Sequence, residues 1–469
     1  MAGMRLEDLE KAIKGTVVAR SASDWTEATD ALIWNGRKPR VTPLAIVRTT
    51  DVADVQAAVR FAAAHGVKVS ACSGGHNWSG IAAQDGIVID LGAMNGIRID
   101  TATRLAEVGP GARNMALAES LSAAGLAFPL GHCGNVAAGG YLLGGGLGWN
   151  SGQWGIACHA IDSADVVMAD GSLIRASESE NAEIFWALRG AGPAFFGIVT
   201  RYQLRLRPLP RAITEAAWVY PIQRVAEATR WMQVCAATMP VNVELSMAMA
   251  PAPEPLGSAG KVATVVMVVF ADTAEEASAT ILELGRQAPA GALAIHPPAQ
   301  ASLPGLVLET DTHYPAGLRH CVDSLWTSDP AFTFAGLGAM LEDAPSPGSN
   351  ALGFVYPAHS DLLARLPAGA FSMVAPAYGI VSACWADPVD DALNLAWLRA
   401  GVDAVAGATL GHNIGEADLV RPGWIAGCYS AEARLRLDAL RAAHDPYGVF
   451  SGRVVRESAL ETSLTLTAP

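Results

Sequence analysis

Gly131 to Gly155 read GHCGNVAAGGYLLGGGLGWNSGQWG, a glycine density that helix and strand interiors resist because glycine loses more backbone freedom on ordering than any other residue. The run is therefore predicted to be a site built from loops. Upstream, Ser73-Gly74-Gly75-His76-Asn77-Trp78-Ser79-Gly80 follows VKVSAC, a short apolar stretch that reads as a buried strand. Consecutive glycines at a strand end let backbone N–H groups converge on one concavity, and such a nest holds phosphate without Lys or Arg. Neither run is a dinucleotide fingerprint: no G-x-G-x-x-G opens a helix after a strand, and no acidic residue stands at the expected offset.

Around these two segments the pattern alternates short strands and helices. Val52, Val55, Val59 and Ala62 recur at helical spacing after a cap at Thr50, and Gly66 ends the helix. GIVIDLG (Gly86 to Gly92), GIRID (Gly96 to Asp100) and LAEVGPG (Leu105 to Gly111) read as strands, and Asn114 to Ala124 as a helix closed by Gly125. ADVVMADGSLIRAS folds back at Asp170-Gly171, a hairpin signal, and GIVTRYQLRLRPLP (Gly197 to Pro210) is a strand that runs out in prolines. A boundary is expected near residue 212. Beyond it AAWVYPI, VNVELSMAMA and KVATVVMVVFAD read as strands, Arg224 to Thr238, Thr273 to Arg286 and Asp390 to Ala404 as helices, and FSMVAPAYGIVSACWAD as a strand pair. Ser430 caps a last helix through Ala443. The predicted class is α+β, with residues 1–212 and 430–469 forming one unit and 213–429 a second, an antiparallel sheet backed by helices.

Composition narrows the partners. The 469 residues are 51% hydrophobic, with 32 basic against 45 acidic side chains and a net charge of −13, so a large core is available and nucleic acid or an anionic membrane is excluded as a partner. MAGMRLEDLEKAIKG mixes charges where a signal peptide would be apolar, and no run stays apolar for a membrane span, which predicts a cytoplasmic protein. Seven scattered cysteines fit a reducing compartment rather than a disulfide framework or a zinc site, and no metal is expected. Cys133, set among glycines, is predicted to have its thiolate stabilised by N–H dipoles.

Taken together, SGGH at Ser73 to His76 and G-x-C-x-x-V at Gly131 to Val136 resemble flavoprotein oxidases of the vanillyl-alcohol-oxidase and berberine-bridge-enzyme type. VTPLAIVRTTDVADVQAAVRFAAAHG and RGAGPAFFGIVTRYQLRL are similar to that family's two-subdomain, PCMH-type FAD domain, and LRLDALRAAHDPYGVF to its closing segment. The resemblance implies FAD as cofactor, with His76 bonded to the flavin 8α-methyl and Cys133 to C6. It also implies that Ser73, Gly74, Gly75, Asn77, Trp78 and Ser79, then Val136, Gly139, Gly140, Gly144 and Gly145, wrap the pyrophosphate and the ring. Ile198 and Val199 are expected along the cofactor through their backbones. Gly131 and Val136 occupy the positions that decide dioxygen access in relatives, and a valine there goes with oxidase behaviour. The implied reaction is oxidation of a CH–OH or CH–NH group of a small or medium organic substrate, with dioxygen as acceptor and hydrogen peroxide as product. A dehydrogenase with another acceptor is the alternative. Departures are Cys72 where an arginine often stands, Tyr141 where a histidine is common, and Gly411-His412-Asn413-Ile414 where Y-x-N-Y is frequent. With both tyrosines missing, the proton acceptor must be His412, Tyr378 or an acidic residue, and Tyr141 stands beside the flavin as a third candidate catalytic residue.

Overall fold

The computed structural model describes residues 5–452 except 255, 257–259, 312–313, 315 and 365. Among these residues the strands form three main sheets in an α+β arrangement. The first runs Thr16–Ala19, Ala45–Arg48, Ile87–Asp90, Val69–Cys72, with the last three strands parallel and the helix Val52–Ala64 packed on them. Asp51 rather than Thr50 caps that helix, accepting from the Asp54 N–H at 3.1 Å. The second is antiparallel, in the order Ile97–Asp100, Leu105–Val108, Ile198–Arg205, Ile161–Val167, Leu173–Ser177. Its last two strands make the expected hairpin, turned by Gly171 at φ +77°.

The third sheet has eight antiparallel strands: Ala294–Ala301, Ala212–Pro221, Lys261–Ala271, Val243–Pro251, Asn350–Val355, Ala377–Trp385, Arg319–Thr327 and Thr409–Gly411. Alternation along its strands divides it into two apolar faces. Leu245, Met247, Val265, Leu325 and Val381 pack under the helices Val225–Thr238, Ala274–Gly285, Pro330–Glu342 and Asp391–Ala404 through Trp231, Ile281, Phe334 and Leu398. Burying a side chain of this size contributes about 1.5–3 kcal/mol relative to leaving it in water, which is why the helices stay on that face. Trp326, Phe354, Tyr356 and Tyr378 belong to the opposite face and share a core with Leu130, Ala138 and Leu142 of the glycine-rich segment. That second face docks the sheet on the glycine-rich segment.

Two expectations are corrected. The stretch FSMVAPAYGIVSACWAD holds one strand, Ala377–Trp385, not a pair. Its first half instead sends Phe371 against Gly145 and Gly190, where an added Cβ would come within 2.3 and 2.4 Å of it, and Pro376 has no N–H to give a ladder. The glycine-rich run also contains a short helix, Ala138–Leu143, in which Gly139 passes so close to the 73–80 loop that a Cβ would lie 2.2 Å from Ser73 Oγ. The described residues of the predicted tail end at Gly452, and the remainder, 453–469, lies outside them. No described helix is long and apolar enough to cross a membrane.

Candidate active site

Strand Val69–Cys72 delivers the chain into the 73–80 loop, and the loop's shape depends on glycine. Gly75 sits at φ +65°, and a Cβ there would stand 2.0 Å from the Leu32 carbonyl oxygen, so only glycine fits. The Gly75 carbonyl accepts from Trp34 N–H at 2.9 Å, and the Trp34 ring stacks on His76 with centroids 4.6 Å apart and planes 19° from parallel. Burial, with Arg113 and His320 adding to it, pulls the His76 pKa down to about 4. The imidazole is therefore neutral at physiological pH, the form that has a lone pair to give. Asn77 Oδ1 accepts from Ser79 N–H at 3.0 Å, and Ser79 Oγ from Leu419 N–H at 3.2 Å, which ties this loop to the segment after the last sheet strand.

The Gly131–Val136 segment is held by the start of the helix Asn114–Ala123. Asn114 N–H donates to the Val136 carbonyl at 2.9 Å, its side-chain amide to the Cys133 carbonyl at 3.0 Å, and Met115 N–H to Gly134 at 3.0 Å. Cys133 is half-buried, and its thiol is pushed up to about 12, by burial first and then by the carboxylates of Asp311 and Glu416. This corrects the expected dipole stabilisation: Asp311 Oδ1 takes the Gly134 N–H at 2.9 Å, so that donor meets a carboxylate and not the sulfur. Tyr141 donates its hydroxyl to the Pro129 carbonyl at 2.7 Å, and its ring fills the space beside Gly131, Gly146 and Gly148.

The two loops line a cavity of ≈ 340 Å³, which the segment Asn413 to Glu416, just past the last strand of the eight-stranded sheet, also lines. Of the residues singled out in the sequence, Ser73, Gly74, Gly75, His76, Asn77, Trp78, Gly131, Cys133, Val136, Gly139, Gly140, Tyr141, Gly144, Ile198 and Val199 line it. His76 and Cys133, 57 positions apart by their numbers, thus open onto one space. Ser79, Gly145, Tyr378 and His412 stand outside its lining. His412 is buried with Nδ1 2.5 Å from the Ser324 carbonyl and its ring on Trp424, centroids 4.5 Å apart.

Register across the sheet leads to the segment that supplies another part of the wall. Ser246, Phe354, Tyr378, Trp326 and Gly411 are successive cross-strand partners, so one row crosses five strands and ends where the chain leaves the sheet. Five residues on, Glu416 enters the cavity. Its carboxylate accepts from the Tyr378 hydroxyl and, at 3.3 Å, from Asn413 Nδ2. Burial raises its pKa, against the lowering influence of Tyr378, His132 and Asn413. A carboxylate with an elevated pKa, anchored on one oxygen and open to a cavity, is the arrangement a general base needs. Sequence reasoning asked for an acidic residue without locating it, although Glu416 lies three residues past Asn413. Tyr202, whose hydroxyl donates to the Gly139 carbonyl at 3.2 Å, is a further lining residue that was missed.

The lining fits FAD. No described lining residue is Lys or Arg, so the diphosphate would meet backbone N–H groups of the glycine loops, and at Gly140 an added Cβ would project into open space.

A family profile described as an FAD binding domain matches residues 43–177. The FAD-linked oxidoreductase penO of Penicillium crustosum is 30% identical over 368 residues, 78% of this chain and 80% of its own. Among solved structures, 6-hydroxy-D-nicotine oxidase from Arthrobacter nicotinovorans is similar with a TM-score of 0.81 and 25% identity, covering 95% of this chain and 98% of its own. Xylooligosaccharide oxidase from Myceliophthora thermophila C1, in complex with xylobiose, is similar with a TM-score of 0.81 and 26% identity over 96% and 98%.

Proposed function

The chain belongs to the FAD-linked oxidoreductases, and on that premise we propose that it is an oxidase acting on a CH–OH or CH–NH group of a small or medium organic molecule, with Glu416 as the proton acceptor. The observation that carries this reading is the Glu416 carboxylate, open to the cavity that His76 and Cys133 share and hydrogen-bonded by Tyr378 and Asn413. Bound FAD supplies the two-electron chemistry: hydride acceptance from the substrate carbon and reoxidation by dioxygen with release of hydrogen peroxide.

The protein's own work is positional and electrostatic. The glycine loops bring backbone N–H groups to the cofactor, and Ile198 and Val199 lie along the same cavity. Neutral His76 and Cys133 are the proposed attachment points, one on each side of the ring. Glu416 draws the heteroatom proton as the substrate C–H is broken, and Tyr378 holds the carboxylate in place and steadies its charge. Against the dehydrogenase alternative stands Val136 in the cavity wall, the residue type that goes with oxygen access in the resembling family. The deciding measurement is hydrogen peroxide formed per substrate oxidised, with and without an artificial electron acceptor. A ratio near one without acceptor supports the oxidase. Turnover only with the acceptor transfers the chain to the dehydrogenases.

A further inference from the structure

Beside Cys133 the structure holds a second polar arrangement that the reaction above does not use. His132 lines the cavity, and its Nε2 lies 2.8 Å from Glu244 Oε1. Glu244 comes from the sheet strand Val243–Pro251, two residues before Ser246 and on the same face, and its other oxygen accepts the Asn150 N–H at 2.7 Å. The carboxylate is thus buried, fixed at both oxygens, and aimed at one imidazole nitrogen. Trp149 and Phe354 pack on the ring, with centroids 4.3 and 5.4 Å away, and hold its plane. A carboxylate bonded to Nε2 selects the tautomer with the proton on that nitrogen and leaves Nδ1 a lone-pair acceptor. Among the described residues His132 Nδ1 has no hydrogen-bond partner.

The cavity is therefore lined by two anchored groups, Glu416 and His132, one backed by Tyr378 and the other by Glu244. Its described lining contains no Lys or Arg, while Glu244 and Asp311 stand directly behind His132 and Gly134. Resting on the reading that Glu416 receives the reacting proton, we propose that the His132–Glu244 pair is a second recognition site, selecting substrates that carry two neighbouring O–H or N–H donors and no negative charge. One donor is at the carbon to be oxidised and faces Glu416. The other hydrogen-bonds to His132 Nδ1 and sets which carbon is presented. A carboxylate in place of the second donor would have no hydrogen to give and would meet two acids without a cation between them.

Three molecules of one size test this: phenethyl alcohol with one hydroxyl, styrene glycol with two, and mandelate with a hydroxyl and a carboxylate. Their Kd values are read from the concentration dependence of the flavin absorbance perturbation of the anaerobic holoprotein where the flavin is not bleached, and from the saturation of the bleaching rate with concentration where it is. For the unmodified protein, styrene glycol is expected to bind on the order of 10-fold tighter than phenethyl alcohol, with mandelate weakest. His132→Ala brings the diol-to-monol ratio close to one. Glu244→Gln does the same by another route: its amide oxygen still accepts the Asn150 N–H, but its NH₂ now donates to Nε2, which moves the imidazole proton to Nδ1 and turns the acceptor into a donor. A diol preference that survives in both variants, mandelate binding tightest, or no absorbance change with any of the three up to their solubility overturns the proposal. A flavin that is perturbed with this selectivity but never bleached removes the oxidation reading instead and leaves the recognition site standing.

Discussion

On the loop side of the cavity the cofactor would meet backbone and the two proposed attachment residues, His76 and Cys133, in loops pinned by glycine contacts too close for any other residue. It would also meet two side chains that partners on the sheet hold from behind: Glu416, from the turn after strand Thr409–Gly411, bonded by Tyr378, and His132, from the second glycine loop, bonded by Glu244. The difference teaches how the labour is divided. On this reading a cofactor common to many reactions is held by main chain, which few substitutions can alter, while the groups proposed to choose and deprotonate a substrate are side chains steadied by Tyr378 and Glu244 of the sheet, and one side chain can change without moving the backbone.

If that division holds, the largest effect belongs to the sheet side and falls on rate alone. Glu416→Gln is expected to lower the rate of flavin bleaching by substrate roughly 10²–10⁴-fold with the protein still folded and yellow, as seen by stopped-flow absorbance. A bleaching rate within a few-fold of the unmodified protein would pass the proton to another residue and break the comparison. The loop side should answer in stability. Gly75→Ala, which sets a Cβ against the Leu32 carbonyl at a positive φ, should cost ~2–4 kcal/mol in denaturant unfolding and lower flavin retention.

A smaller effect sharpens the assignment of Tyr378. Its hydroxyl donates to Glu416 and lowers that carboxyl's pKa, so Tyr378→Phe lets the pKa rise further. Activity that needs the carboxylate is lost as pH falls through this pKa, so the acidic limb of the kcat/KM profile should move to higher pH, with kcat at neutral pH down roughly 10-fold. An unmoved limb would leave Tyr378 with a packing role against Trp326, whose ring is 4.5 Å away. The smallest change is expected from single loss of either anchor. After acid precipitation, His76→Ala and Cys133→Ala should each give a yellow pellet, and only the double variant should release its colour. A colourless pellet from the unmodified protein would refute attachment through both side chains.

The loop side was legible because its signals are contiguous: SGGH and GHCGNV each place a cavity-lining residue and its glycines within a few positions, and the helix Asn114–Ala123 that holds the second loop has its own spacing signal. The sheet side was legible only in outline. Antiparallel strands could be read from alternation, but Glu244 meets His132 across 112 positions, and no local pattern marks either as half of a pair. His412 was singled out from the segment that holds Glu416, yet strand Thr409–Gly411 ends one residue before it, and the turn that follows sends Glu416, not His412, to the cavity. The Cys133 thiol shows the same limit in charge: glycines around it suggested helpful dipoles, whereas the fold brings Asp311 and Glu416 from far along the chain.

By itself the sequence determined the α+β class and the two glycine loops, because glycine's conformational freedom and strand alternation act within a handful of residues. Which acid reaches the cavity and which histidine receives a carboxylate were decided by the path of the chain out of the eight-stranded sheet and by the sheet's docking on the loops. Those contacts join residues whose separation along the chain carries no physical signal until the strands have paired.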